Sequence, residues 1–196
     1  MNLIAFTGHS GVGKDTVANL VYDLIYSNPD LYPYHYAVSD YISEVLEATC
    51  DWPVANIKSA RLSEPVLVRE LLKATGNWLR TNDLKYLQHC ITFGVDQCHA
   101  PVDYLLLSGI RFPDEVTTLI NNYNATIIRI TNPSIPIHDP SHDTVRHIND
   151  LPYHYVIPNT GSLDDLRATV TKLWNETRFS SVGRPLICPG IDRDGE

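Results

Sequence analysis

The feature that most constrains this chain is the segment Gly8-His9-Ser10-Gly11-Val12-Gly13-Lys14-Asp15-Thr16. It stands between a short apolar run, Asn2 to Thr7, and a stretch from Thr16 to Tyr26 with apolar residues at helical spacing: Val17, Leu20, Val21, Leu24 and Ile25. Strand, glycine-rich loop and helix in that order make a phosphate-binding loop. Glycines let the backbone curl so that successive N–H groups point inward at phosphate oxygens. The helix N-terminus adds the positive end of its dipole, and Lys14 supplies a mobile charge toward the β and γ phosphates. Gly8, Ser10, Gly11, Val12, Gly13, Lys14, Asp15 and Thr16 are therefore the candidate nucleotide contacts. The strict pattern has Ser or Thr directly after the lysine to hold magnesium, and here Asp15 intervenes before Thr16. Either Asp15 holds the ion, directly or through water, or Thr16 reaches it instead. The competing reading, a glycine-rich turn that binds nothing, leaves the coincidence of strand, glycine spacing, lysine and helix without a cause.

Further along, strands and helices alternate. A second strand is expected over Tyr34 to Val38, followed by a helix from Asp40, a good N-cap residue, to about Ala48. The stretch from Asp51 to Arg61 is less periodic and reads as a connector. Ser63-Glu64-Pro65 starts a helix whose apolar stripe runs through Leu67, Leu71, Leu72 and Leu79, with Gly76 interrupting it. Another helix is expected from Asp83 to about Cys98. Asp103 to Leu107 then has the near-continuous apolar character of a parallel strand buried on both faces. Pro113 opens a helix to about Asn122, Ala125 to Thr131 and Tyr153 to Ile157 read as strands, and Ser162-Leu163-Asp164-Asp165 resembles a capping box starting a helix to about Thr177. Parallel neighbours need long crossovers, so the pattern predicts one three-layer α/β domain over residues 1–179, a parallel sheet flanked by helices. Residues 180–196 form a tail rich in Gly, Pro and Arg, expected to be flexible or to dock on a partner.

Composition removes several function classes. The 196 residues carry 15 Lys plus Arg against 23 Asp plus Glu, a net charge of -8, which argues against polymeric nucleic acid as a partner because that affinity comes from neutralising phosphates. Cys50, Cys90, Cys98 and Cys188 lie far apart without a CxxC pair, so they read as free thiols rather than zinc or redox ligands. The opening MNLIAFTG lacks the basic start and long apolar run of a signal peptide, and no stretch approaches the roughly 18 apolar residues of a membrane span. A cytoplasmic location without membrane contact is the expectation. His138, His142, His147 and His154 straddle a loop and a strand with no i, i+4 pair on a clear helix, a poor arrangement for a metal.

The loop ending Gly-Lys-Asp-Thr after a Gly-x-x-Gly start resembles that of the phage-type deoxynucleoside monophosphate kinases within the P-loop kinases. Ala37-Val38-Ser39-Asp40 is similar to the family's Ala-Asp segment after a short strand, with Ser43 where a lysine is common, which makes Asp40 a candidate substrate contact. Leu72 to Arg80 resembles a segment in which glycine precedes arginine near the monophosphate. That makes Arg80 a candidate phosphate contact, against the alternative of a solvated helix arginine. Ser108-Gly109-Ile110-Arg111-Phe112-Pro113-Asp114-Glu115 resembles the family's Asp-Val-Arg-Phe-Pro-Asn-Glu segment. Arg111, Phe112, Pro113 and Glu115 match, but Gly109 or Ser108 stands where the strand-end aspartate belongs. Arg111 is a candidate contact for the acceptor phosphate, or else pairs with Glu115 or Asp114. Ser141 with His138, His142 and Asp143 is a loose echo of the family's His-x-Ser-Glu stretch, and Asn132 sits where an arginine is common. Asn159-Thr160-Gly161 matches a closing Asn-Gly turn in which Asn159 either faces the adenine or caps the turn.

The resemblance implies a P-loop kinase fold and a reaction in which ATP with Mg2+ gives its γ-phosphoryl group to a (deoxy)nucleoside monophosphate, with Lys14, Arg111 and Arg80 as the catalytic cations. It also carries a homodimer as an expectation, since related kinases are often dimers. Two other readings stand beside it. One is a kinase acting on a hydroxyl of a modified nucleotide or other small metabolite, with Asp40 or Asp15 as base. The other is a nucleotide-binding regulatory module that transfers nothing, for which the missing strand-end acid is the main support.

Overall fold

The computed structural model describes residues 1–50, 57, 60, 63, 65–83, 85–98, 100–136, 145 and 147–189. The chain forms two compact units, one made of Met1–Tyr36 with Ala100–Glu196 and the other of Ala37–His99. The larger unit carries a five-stranded sheet. Its strands are β1 (Asn2–Thr7), β2 (Pro33–Ala37), β3 (Tyr104–Ile110), β4 (Thr126–Thr131) and β5 (Tyr155–Pro158), in the order β2-β3-β1-β4-β5. The pairs β1–β3, β1–β4 and β4–β5 are parallel. Helices α1 (Lys14–Tyr26), α5 (Pro113–Tyr123) and α6 (Leu163–Thr177) belong to the same unit.

The period of two along the strands sorts the core into two faces. Ile4 and Phe6 of β1, Leu106 of β3, Ile128 and Ile130 of β4 and Ile157 of β5 all join one cluster with Val17, Val21 and Ile25 of α1 and Leu166, Val170 and Trp174 of α6. The intervening Leu3, Ala5, Leu105, Leu107 and Ile127 are as deeply buried but face the other way. The path β1-α1-β2 runs toward one edge of the sheet and β3-α5-β4 toward the other, so right-handed crossovers put α1 and α5 on opposite faces. The result is the three-layer α/β arrangement that the alternating pattern predicts.

The end of α6 is finished by aromatic packing. Trp174 meets Tyr104 edge-on at 5.8 Å, and Phe179 meets Tyr155 at 5.4 Å. Ser162 caps α6 as expected, its hydroxyl accepting from the Asp165 N–H while the Asp165 carboxylate accepts from the Ser162 N–H. The described part of the tail does not project. Tyr153 and Ile187 exchange two backbone hydrogen bonds, Arg184 stacks 4.0 Å from the centre of the Tyr155 ring, and Tyr155 donates its hydroxyl proton to the Ser180 carbonyl. Described residues of 180–189 thus dock on their own chain, pairing with Tyr153 just ahead of β5 and packing on the Tyr155 side chain.

The smaller unit holds α2 (Val38–Cys50), α3 (Pro65–Asn82) and α4 (Tyr86–Asp96), and Leu46 of α2 and Val68 of α3 form a small core with Ile57. Three expectations need correction here. Helix α2 starts at Val38, straight out of β2, so Asp40 is not its N-cap but an acidic residue of its first turn, where it complements the positive end of the helix. Helix α3 passes through Gly76 without a break. A Cβ at that position would come 3.1 Å from Ile42 Cδ1, so the glycine serves the close approach of α2 and α3 rather than a stop. Helix α4 begins at Tyr86 rather than Asp83, whose carboxylate instead accepts from the Lys85 N–H just ahead of the helix.

Candidate functional site

The loop between β1 and α1 has the backbone its glycines allow. Gly8, Gly11 and Gly13 have φ of 144°, 82° and 96°, values that side chains resist. Two of them also meet neighbours that leave no room for a Cβ. At Gly8 it would lie 2.4 Å from the Ile130 carbonyl oxygen, and at Gly13 it would lie 2.6 Å from Asn159 Nδ2. Asn159 donates its amide proton to the Val12 carbonyl at 2.9 Å, while its own N–H is held by the Thr131 carbonyl. Asn159 thus braces the loop backbone, a contact outside both roles expected for it. Ser10 is exposed at the loop's outer edge, and Val12 is buried in the core beneath it.

Lys14 starts α1 and is only 9% exposed. Its ammonium group donates to the His9 carbonyl at 2.7 Å, which curls the side chain back over the loop. Burial and, after it, the Arg111 guanidinium lower its pKa to about 8, with Asp15 opposing both. Two cations are therefore close enough at the mouth of the loop to repel each other, an arrangement that a polyanion relieves. Arg111 follows β3 directly, at the carboxyl end of the sheet where α/β folds place ligands. What holds its turn is the buried Glu115 carboxylate, which accepts from the Arg111 N–H at 2.8 Å and from the Phe112 N–H at 3.1 Å. Glu115 thus serves the backbone at the start of α5.

Strand β3 runs further than its apolar stretch predicts, to Ile110, and contains a bulge. Phe6 pairs with Ser108 and Thr7 with Ile110, leaving Gly109 as the extra residue at φ 94°. The Ser108 hydroxyl donates to Asp15 Oδ1 at 2.7 Å, while Gly109 supplies only the left-handed turn. His35 of β2 sits 3.2 Å from Ser108 Oγ through Nε2 and 3.1 Å from Asn19 Oδ1 through Nδ1. Thr16 is exposed on the first turn of α1 beside Asp15.

The donors here suit magnesium. Among the described residues no group of three or more His, Cys, Asp or Glu could hold a metal by protein ligands alone. Magnesium in phosphoryl-transfer sites asks for less, one or two hard oxygen ligands beside the substrate phosphates and water. The carboxylate of Asp15 and the hydroxyl of Thr16, both at the start of α1 next to the loop, are donors of that kind.

Arg80 lies in the last turn of α3 and Asp40 in the first turn of α2, both in the smaller unit. Asp40 there helps burial raise the Cys90 thiol to about 12. His138, Ser141, His142 and Asp143 lie outside the described residues. His154 is buried, its Nδ1 accepting from the Ile127 N–H, and burial with the nearby Arg184 lowers its pKa. It is a neutral structural group. Sequence reasoning missed a second network at the loop: His9 Nε2 lies 3.0 Å from Asn149 Oδ1, which also accepts from Arg129 Nη2 at 2.9 Å. Arg129 is flanked by apolar residues on β4, and no local spacing links it to His9, 120 positions away in the chain.

No helix among the described residues is long and apolar enough to cross a membrane. No protein-family model matches this chain, and no curated protein does. Among solved structures it is similar to the shikimate kinase of Bacteroides thetaiotaomicron, with 11% sequence identity over 90% of this chain and 98% of that one, at a TM-score of 0.44.

Proposed function

We propose that this protein is an ATP-dependent phosphotransferase that uses Mg2+ and passes the γ-phosphoryl group of ATP to the phosphate of a (deoxy)nucleoside monophosphate. The observation that carries the reading is the pairing of Lys14 with Arg111 over a loop whose glycines hold it in a curled, left-handed backbone. Two mutually repelling cations in a partly desolvated mouth suit a polyphosphate and the charge that moves along it during transfer. The choice of a monophosphate acceptor rests on the resemblance of residues 8–16 and 108–115 to the deoxynucleoside monophosphate kinases.

In this reading an oxygen of the acceptor phosphate forms the new bond to the γ phosphorus as the bond to the bridging oxygen breaks, and ADP leaves with that electron pair. The acceptor is already an anion, so alignment and charge neutralisation supply the catalysis and no general base is needed. Lys14 and the loop N–H groups hold the donor phosphates, Asp15 or Thr16 serves the magnesium, and Arg111 draws the acceptor phosphate and the transferring group together. Arg80 and Asp40 are assigned to the acceptor on the resemblance alone. A hydroxyl acceptor is the second reading. It is favoured by the exposed Asp15 carboxylate beside Lys14, an acid that could take up a hydroxyl proton.

The test is ADP release from Mg-ATP against a panel of deoxy- and ribonucleoside monophosphates and hydroxyl-bearing nucleosides, with Lys14→Ala as control. Turnover dependent on a monophosphate supports the first reading. Turnover confined to hydroxyl acceptors supports the second. Tight ATP binding without turnover on any acceptor, or full activity in Lys14→Ala, refutes both.

A further inference from the structure

In nucleotide-binding loops of this kind the cation is served by a hydroxyl directly after the loop lysine and by a carboxylate at the end of a neighbouring strand. In this chain the two chemical groups have exchanged places. The carboxylate, Asp15, follows Lys14, and the hydroxyl, Ser108, stands near the end of β3, and the two are hydrogen-bonded at 2.7 Å. The exchange keeps one acid and one hydroxyl facing the same point from the same two elements.

Donor and acceptor rules fix how this group is held. A carboxylate can only accept, so the single Ser108 proton goes to Asp15 Oδ1. The Ser108 oxygen is then left as an acceptor facing His35 Nε2, 3.2 Å away, which donates to it when both ring nitrogens carry protons, since the Nδ1 proton goes to Asn19 Oδ1. Asn19 holds the other ring nitrogen from the exposed side of α1. The chain Asn19–His35–Ser108–Asp15 draws on α1, β2 and β3, elements of the larger unit. The bonds from His35 to Ser108 and from Ser108 to Asp15 run toward one oxygen of one carboxylate, while Asn19 Oδ1 anchors the far side of the ring. The other oxygen, Oδ2, has no protein partner among the described residues, and the side chain is 73% exposed. An exposed aspartate on a helix has several rotamers open to it, and a charge-assisted bond to a buried serine selects one. Thr16, the rival ligand, makes no such bond among the described residues.

We propose that Asp15, rather than Thr16, is the protein ligand to the divalent cation of the bound triphosphate, directly or through a water on Oδ2, and that Ser108 and His35 are positioning residues that fix its carboxylate. This rests on the phosphoryl-transfer reading above. It adds a residue of β2 to the site and gives a role to the serine that replaces the strand-end acid. Outer groups of this sort orient a ligand and set its basicity, and their loss typically costs about 10- to 100-fold in metal affinity.

The experiment measures binding instead of turnover. A fluorescent N-methylanthraniloyl ATP is titrated with EDTA and with Mg2+, and Mn2+ binding to the protein–nucleotide complex is followed by electron paramagnetic resonance. The variants are Asp15→Asn, Ser108→Ala, His35→Leu, His35→Gln and Thr16→Val. Asp15→Asn is expected to abolish the gain in affinity that Mg2+ brings while strengthening metal-free binding, since it removes a negative charge beside the phosphates. Ser108→Ala and His35→Leu should weaken Mn2+ by about 10- to 100-fold and leave metal-free binding as it was. His35→Gln, whose amide can still donate to Ser108, should recover most of that loss, which a purely structural role for the ring would not predict. Should His35→Leu fail to fold, Ser108→Ala and His35→Gln carry the same test. Wild-type Mn2+ affinity in both Ser108→Ala and His35→Leu overturns the proposal, and so does a metal response lost in Thr16→Val but kept in Asp15→Asn. A wild-type protein that binds no triphosphate with or without Mg2+ fails at the earlier step and overturns the phosphoryl-transfer reading together with this one.

Discussion

Nucleotide binding to this protein should be coupled to the proton on Lys14. Free in solution a lysine titrates near 10.5, and here burial and Arg111 bring Lys14 down to about 8. A triphosphate in the loop places several negative charges against that ammonium and restores its preference for the charged form. With a midpoint of about 8, Lys14 is about nine-tenths deprotonated at pH 9 and about one-tenth at pH 7, so binding should take up about 0.9 proton at pH 9 and about 0.1 at pH 7. Isothermal titration at each pH in two buffers of different ionisation enthalpy reads these numbers directly. Affinity should fall about tenfold per pH unit above 8, since binding must first recharge the lysine. Stability of the free protein runs the opposite way. The folded pKa is below the unfolded one, so the penalty of burying the charged lysine is fully present below about pH 8. It is relieved as pH rises toward 10.5, a gain of about 3 kcal/mol at most. Lys14→Met should erase both effects. Equal proton uptake at pH 7 and pH 9, or uptake that persists in Lys14→Met, would refute the reasoning.

Arg111→Ala should lower turnover by about 100-fold or more while leaving ATP binding largely intact, and it should move the Lys14 midpoint upward by removing a like charge. A comparable loss of ATP affinity would assign Arg111 to the donor side. Glu115→Ala leaves the buried N–H groups of Arg111 and Phe112 without their shared acceptor, and denaturant melts should report a loss of about 2–4 kcal/mol. Gly13→Ala and Asn159→Ala should be non-additive, because the added methyl collides with the Asn159 amide that the second change removes. Gly8→Ala should show no such rescue, since it meets the backbone carbonyl of Ile130. Ending the chain at Phe179 strips the Ile187 pairing from Tyr153 and the Arg184 stack from Tyr155, and the thermal midpoint should fall by about 2–4 °C for each kcal/mol these contacts contribute.

What could be read from the sequence and what could not divides by the distance over which the cause acts. The loop at 8–16 is legible because its parts are contiguous and each residue type answers to a local need. The capping box at Ser162 and Asp165 is legible for the same reason. The start of α2 was misplaced because a good capping residue at Asp40 says nothing of β2 running directly into a helix. Gly76 was misread because its reason, Ile42, sits on another helix. The glycines of the loop carry the same lesson in sharper form. Sequence reasoning gives all of them one purpose, curling the backbone around phosphate, and the structure separates their reasons. Gly11 has only its left-handed φ to satisfy, with Ile135 at an ordinary 3.5 Å. Gly8 is also required by the backbone of β4, and Gly13 by a side chain 146 positions further along. The strand-end position shows the converse. The sequence there registers a missing acid and suggests a weakened site, whereas the fold sets Ser108 against Asp15, so that the apparent loss at 108 and the apparent insertion at 15 belong to one arrangement. Neither departure from the expected pattern can be interpreted alone, because the bond that joins them spans 93 residues of sequence.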